Sequence, residues 1–415
     1  MRNSICLISF FCLAYSCAHE NKNKDASESN PPVSDSVAAE LAGTLTLSPP
    51  EFRRYSGAVE NYMEAKFNNR RFNGSVLVAK NGQILYEKYQ GYTNPRAKKD
   101  SITSSTPFHL ASVSKTITAT AILKLSEECR LNINDSVSKY LIGFPCVGVT
   151  IKTLLNHRSG LPNYVHYMEV LGWDKRKLIT NQDVLDFIIQ RHNEIQIGPP
   201  DRHFSYSNTN YALLALIIEK VTGQSYGSFI KLKIFDPLEM KNSFVFTMSD
   251  SARALPSFFF SGRQYPFDFL DLVYGDKNVY STVRDMLKFD QALRSGKLLK
   301  PETMQTAYSG YSFEKPGINN YGLGWRMFIL KNGKKLIYHN GWWHGNRTAF
   351  YRLIDEKVTI IALCNNDYKK VYMLKKLANI FGDYLHRDKD DVDIEIVKIR
   401  RLNHYISLNE IIETR

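Results

Sequence analysis

The sequence predicts an α+β domain in which an antiparallel sheet is flanked by helices and carries an inserted all-helical lobe. Three observations carry this. Strand-like runs stand near both ends of the body of the chain, Asn-Gly pairs punctuate them, and the stretch between reads as helices and loops. Isolated hairpins are marginal on their own, so the early and late strands are expected to share one sheet. The helical middle then packs beside it, leaving a cleft between two lobes, where small-molecule sites often lie.

Composition bounds the answer. The chain has 415 residues, 43% of them hydrophobic, 12% aromatic and 23% charged. A wholly disordered or collagen-like chain is excluded, and the length supports a sizeable core. The formal charge is +13. Lys and Arg are scattered along the chain with no long basic block, so nucleic acid is not an expected partner. Attraction to an anionic envelope surface or polymer is the milder reading of the same charge.

The elements follow in order. Met1-Arg2-Asn3 is a short basic start, and Ile5 to Tyr15 is apolar but too short to span a bilayer, which suits an export signal. It ends in Leu13-Ala14-Tyr15-Ser16-Cys17, where small residues before a cysteine resemble a bacterial lipoprotein processing site. Residues 1–17 are therefore expected to be a signal, with Cys17 lipidated and anchored to a membrane of the cell envelope, at the periplasm or outer surface. An ordinary cleaved signal is the alternative. Residues 18–50, rich in Asn, Lys, Ser, Asp, Glu and Pro, have the composition of a tether. The body is 51–386, with an α/β lobe from 51–115 and 296–386 and a helical lobe from 116–295. A charged, then mixed, tail fills 387–415.

Within the body, 55–68 reads as a helix. Ser75–Lys80 and Gln83–Gln90 read as strands joined by Asn81-Gly82, the strongest short hairpin signal. Helices are expected over 113–128, Asn181–Arg191, Thr209–Val221 (stopped by Gly223) and Val283–Arg294 (stopped by Gly296). Strands return at Gly322–Leu330, Lys335–His339, Arg347–Ile354 and Val358–Leu363, with Asn332-Gly333 as a second hairpin turn, and a helix over Tyr372–Leu385 closes the body. Of six cysteines, three lie in the signal. Cys129 and Cys146 are close enough to pair in an oxidising compartment, though spacing does not decide it, and Cys364 ends an apolar run and reads as a buried thiol. There is no Cys-x-x-Cys, and the spacing of His339 and His344 fits no common zinc motif, so no metal or other cofactor is expected.

Three short motifs could carry chemistry. Ser112-Val113-Ser114-Lys115 places a hydroxyl and an amine three residues apart, on one face of a helix. Serine is a weak nucleophile until a base takes its proton, and a lysine of lowered pKa can do so. The pattern alone is weak, because Ser136, Ser228 and Ser312 also have Lys three residues on. Only Ser112 directly precedes a long helical segment. Tyr206-Ser207-Asn208 would point a phenol and a carboxamide the same way from an extended segment. Tyr92-Thr93-Asn94 repeats that pattern, and packing alone accounts for most tyrosines. His339-Asn340-Gly341 follows a strand-like run and leads into Trp342 and Trp343; glycine there would let a substrate approach the backbone, whereas a buried histidine in a turn is the plain alternative.

Together and in this order, the motifs resemble those of the serine β-lactamase and penicillin-binding-protein superfamily, nearest its class C-like branch of D-aminopeptidases, D,D-peptidases and esterases. Phe72-Asn73-Gly74-Ser75-Val76-Leu77-Val78, Pro107–Ala111, Leu154–Leu161, Tyr280–Met286 and Tyr321-Gly322-Leu323-Gly324-Trp325 match family segments as well. The resemblance spans about residues 58–385 and implies a β-lactamase/transpeptidase-like fold. It implies Ser112 as the acylated nucleophile, Lys115 in proton transfer, Tyr206 as general base or acid, and Asn208 as a substrate hydrogen-bonding group. His339 would stand where relatives carry the Lys of Lys-Thr-Gly, with Gly341 beside it, and the backbone N–H groups of Ser112 and Trp342 would form the oxyanion hole. His339 is expected to be only partly protonated at neutral pH. With Asn340 replacing a threonine, that points away from an efficient β-lactamase and toward a peptidase, amidase or esterase. Asn278 departs from a glycine common in relatives. Adjacent Trp342 and Trp343 are expected to wall the site. A β-lactamase proper, and a catalytically silent protein binding peptidoglycan peptides, are the competing readings.

Overall fold

The computed structural model describes residues 46–67 and 71–385. The signal with Cys17, the tether up to residue 45 and the tail 387–415 lie outside them.

The first described element, α1 (Pro49–Tyr62), begins earlier than the expected 55–68 and takes the end of the expected tether. The start is written in Ser48-Pro49-Pro50-Glu51. The Ser48 and Glu51 side chains cap reciprocally, and Pro at the first turn lacks only an N–H that no helix would use. Then come β1 (Gly74–Lys80), β2 (Gln83–Gln90), the small hairpin β3 (Tyr92–Asn94) and β4 (Lys99–Ser101), and β5 (Phe108–His109). Asn81 and Gly82 both have positive φ, 53° and 77°, as the predicted hairpin turn requires. The helical middle holds α2 (Ser114–Glu127), α3 (Ile151–Leu155), α4 (Tyr164–Val170), α5 (Asn181–Arg191), α6 (Asn208–Thr222) and α7 (Tyr226–Ile230). It also holds two short strands, β6 (Phe244–Val245) and β7 (Val279–Ser281), which pair with β5 in the order β5-β7-β6, so the insertion is not wholly helical. Two-residue strands carry too little alternation to be read from sequence. After α8 (Val283–Arg294) and α9 (Pro301–Ala307) come β8 (Asn319–Tyr321), β9 (Arg326–Ile329), β10 (Lys335–Trp343), β11 (Asn346–Leu353) and β12 (Val358–Cys364). The predicted strand Gly322–Leu330 breaks at a turn around Gly324, whose φ is 87°. The closing helix runs over Lys369–Ile380 rather than Tyr372–Leu385 and is a 3-10 helix.

The main sheet has the order β2-β1-β12-β11-β10-β9-β8, antiparallel throughout, so the early hairpin does join the late strands. Both of its faces are covered. Along β1, Val76 and Val78 enter a core with α1 and the closing 3-10 helix, whereas Leu77 and Ala79 enter the core shared with the helical middle. β12 divides in the same way, Ile360 and Ala362 against Ile361 and Leu363. Burial on both faces is why these strands read as continuous apolar runs instead of alternating ones. Helix α6 is buried over Thr209–Ile218 and packs against α2, α3, α5 and α7, so its sequence is apolar all round. Cys364 is buried, as expected, and Cys129 and Cys146 are free thiols.

Candidate active site

Ser112 sits on one 3-10 turn, Ala111–Val113, which runs straight into α2. That turn is fastened on both sides. Leu110 N–H donates to the Val279 carbonyl (2.8 Å), and Thr348 Oγ1 donates to the Leu110 carbonyl (2.7 Å). Ala111 is held at φ 49°, a conformation that L-residues seldom adopt. Its N–H donates to His109 Nδ1 (3.0 Å), and His109 Nε2 in turn donates to Asn278 Oδ1 (2.9 Å). Asn278 has φ 72°, so it keeps the left-handed backbone for which glycine is the usual choice, and its amide holds the Asp271 and Val273 carbonyls. The departure at this position thus props the nucleophile turn from behind.

Lys115 is fully buried. Its Nζ donates to Ser112 Oγ (3.1 Å), Asn208 Oδ1 (2.8 Å) and the Asp276 carbonyl (2.8 Å). The other Ser-x-x-Lys matches do not assemble this way. Lys139 pairs with Asp135 and Lys231 with Asp236, and Ser312 meets Arg158. Asn208 is the first residue of α6, with Ser207 extended before it, so Tyr206 and Asn208 lie at the junction between an extended segment and the helix. The Tyr206 ring has the Lys115 ammonium 5.0 Å from its centroid and the Arg326 guanidinium 4.8 Å away.

Tyr206 also lies against His157, the rings tilted by 37° with centroids 4.3 Å apart. His157 Nδ1 accepts from the Ser207 N–H and from the Asn210 amide, which puts its proton on Nε2. Burial, then the charges of Lys115 and Arg326, push its pKa well below the usual histidine range, so the ring is neutral.

His339 is where the structure changes the expectation. It is completely buried on β10, with Nε2 against the Tyr321 hydroxyl (3.1 Å) and Nδ1 against the Asn340 carbonyl (2.7 Å). Burial first, then Arg326 and Lys115, hold its pKa well below the ordinary value. The ring is a neutral imidazole rather than a partly protonated one. The cation on this side of the cleft belongs to Arg326 on β9, which lies over Tyr206 and Tyr321. The matched segment Tyr321–Trp325 ends one residue short of it; the signal was adjacency alone.

Gly341 is where β10 meets the nucleophile turn. A Cβ there would lie 2.4 Å from the Leu110 carbonyl and 2.1 Å from Thr348 Oγ1. Only glycine lets the strand run this close, and it brings the following residue, Trp342, alongside the Ser112 turn. The Trp342 side chain is 39% exposed and carries the Arg347 guanidinium 4.3 Å from its ring. Trp343 faces elsewhere: its Nε1 donates to Asp271 (2.6 Å), and it lines a cavity of about 170 Å³ with His109, Asn278 and His344, whose lining includes none of Ser112, Lys115 and Tyr206. A hydroxyl, a buried amine and a phenol flanked by cations are a set that can activate serine toward a carbonyl. Among the described residues no cluster of His, Cys, Asp and Glu could hold a metal ion.

Comparison with known proteins places the chain in a family. The family model described as Beta-lactamase matches residues 56–382. Penicillin-binding protein 4* of Bacillus subtilis (strain 168) is 34% identical over 335 residues, covering 76% of this chain and 72% of its own. Teichoic acid D-alanine hydrolase of Staphylococcus aureus (strain NCTC 8325 / PS 47) is 28% identical over 339 residues, covering 80% and 78%. Among solved structures, the octameric penicillin-binding protein homologue from Pyrococcus abyssi superposes with a TM-score of 0.65 at 26% identity, over 78% of this chain and 77% of that one. With the fold, the ordered motifs and these matches in agreement, the chain belongs to the serine β-lactamase and penicillin-binding-protein superfamily and is a serine hydrolase.

Proposed function

We propose that this protein hydrolyses amide or ester bonds of small D-amino-acid-bearing, cell-wall-type substrates through an acyl-enzyme on Ser112, in the manner of the class C-like branch. The observation that carries the reading is the three-way contact of buried Lys115 with Ser112, Asn208 and the Asp276 carbonyl. Ser112 Oγ attacks the substrate carbonyl while its proton passes to the Lys115–Tyr206 pair. The oxyanion is held by the N–H groups of Ser112 and Trp342, and Tyr206 returns the proton to the leaving amine or alcohol. Water then attacks the acyl ester by the reverse route and frees Ser112 as a carboxylic acid departs. Asn208 positions the acyl amide.

Substrate class rests on two supports. Relatives and structural neighbours include a teichoic acid D-alanine hydrolase and a D-amino acid amidase. Second, neutral His339 offers no charge to a β-lactam carboxylate, which ranks β-lactamase activity below peptidase or esterase activity. Export and anchoring through Cys17 form part of the proposal, and Cys17→Ala should move the protein from the membrane to the soluble fraction; unchanged retention would refute the anchor.

The test is intact-mass spectrometry of the protein lacking residues 1–17 with an activated ester, a β-lactam, and a D-alanyl-D-alanine peptide with free or amidated C-terminus. An adduct on Ser112 with product release, lost in Ser112→Ala at unchanged thermal midpoint, is the expected result. A folded protein that forms no adduct and turns over nothing would instead indicate a silent binding protein.

A further inference from the structure

Behind Lys115 lies a second buried polar cluster that the reaction above does not use. Tyr164, Asp276 and Lys277 are each at most 2% exposed. The Lys277 ammonium donates to the Tyr164 hydroxyl, which donates to Asp276 Oδ2 (3.1 Å), and Lys277 Nζ lies 3.5 Å from the same oxygen. Asp276 Oδ1 has no hydrogen-bond partner. The Lys277 charge is further placed over the Trp343 ring, 4.6 Å from its centroid. Gly275 makes room for this chain path, since a Cβ there would lie 2.4 Å from the Tyr211 carbonyl of α6.

The cluster touches Lys115 through two of its partners. Asp276 supplies the accepting carbonyl, and Tyr164 N–H donates to Thr209 Oγ1 (2.8 Å), next to Asn208. We infer that Tyr164, Asp276 and Lys277 are positioning residues that hold the two acceptors of Lys115 and, by balancing a buried carboxylate against a buried ammonium, set the charge state in which Lys115 meets Ser112. This rests on the proposed role of Lys115.

Lys115 faces the phenols Tyr206 and Tyr211 and the neutral rings of His157 and His339. Lys277 faces Asp276, Asp271 and Asp268, and the His109 ring feels its charge. Burial lowers the pKa of Lys277, and Asp276 and Asp271 oppose that, which keeps it paired. Removing the Lys277 ammonium leaves the Asp276 carboxylate to favour a protonated Lys115. Removing the carboxylate does the reverse.

The experiment follows the rate of Ser112 labelling by a fluorophosphonate probe against pH, in the protein lacking residues 1–17. Lys277→Met should move the acid limb of the profile up by about one pH unit, Asp276→Asn should move it down by a similar amount, and the double variant should return it close to wild type. Tyr164→Phe should slow labelling severalfold. The double variant, which leaves no unpaired charge, keeps the test open if a single one fails to fold. Coincident acid limbs in folded variants overturn this inference and leave the proposed reaction standing; a folded wild type that never labels overturns both.

Discussion

Gly341 shows how little tolerance exists beside Ser112. Any side chain at 341 would strike the Leu110 carbonyl and Thr348 Oγ1 and push β10 away from the nucleophile turn. Gly341→Ala should therefore lower acylation at least tenfold and also cost stability, since one of the atoms it strikes is backbone; acylation within a factor of two of wild type would refute the close-approach argument. At this scale the motif residues Ser112, Lys115, Tyr206 and Asn208 were legible, and the structure brings them together. What was not legible was their surroundings. His157 was visible only as one letter of a matched segment, Arg326 as the residue after one, and Asp276 contributes a carbonyl that every residue type possesses. The charge of His339 was misread because burial is a property of the fold and not of the letter.

Among the elements, α8 shows how the helical segments are bound to the sheet. It packs on β1 and β12, and its Asp290 is wholly buried between three partners. Arg352 of β11 donates to Oδ1, while Arg294 (2.8 Å) and Thr359 of β12 donate to Oδ2. Burial alone would raise the carboxyl's pKa; the guanidiniums of Arg294 and Arg352 overcome it and hold it below the usual range. Asp290→Ala strands the Arg352 charge in the core and should cost about 3–5 kcal/mol, read from the urea midpoint. A loss under about 1 kcal/mol would mean the pair is not coupled to folding. The long elements were readable because their signals are local: α5 and α8 occupy the expected residues, each with a Thr cap. The 3-10 character of 369–380 and the short strands β5 to β7 were not, since neighbours decide them.

For the whole molecule, three buried histidines make stability pH-dependent. His109 is pushed down to about 4, and His157 and His339 well below the usual value, burial leading in each case. The native state refuses protons that the unfolded chain accepts below about pH 6.5, so stability should fall as pH drops through 6.5. The slope is about 1.4 kcal/mol per pH unit for each histidine. Asp290 adds loss in the same direction at lower pH, because its folded pKa is depressed. Urea titrations at pH 7.5, 6.0 and 5.0 test this; a flat profile would mean these rings are charged when folded. The α+β class and the joining of early and late strands were legible at this scale because the hairpin signals frame the helices.

The pairing of β1 with β12 has a consequence for when the protein can act. Residues 74–80 wait for 358–364 to complete their side of the sheet, and Gly341 and Thr348, which brace the serine turn, also come late in the chain. A ribosome must therefore pass residue 364 before both the partner of β1 and the late brace on the Ser112 turn exist. The serine turn is made early and is braced only once strands made later have closed over it.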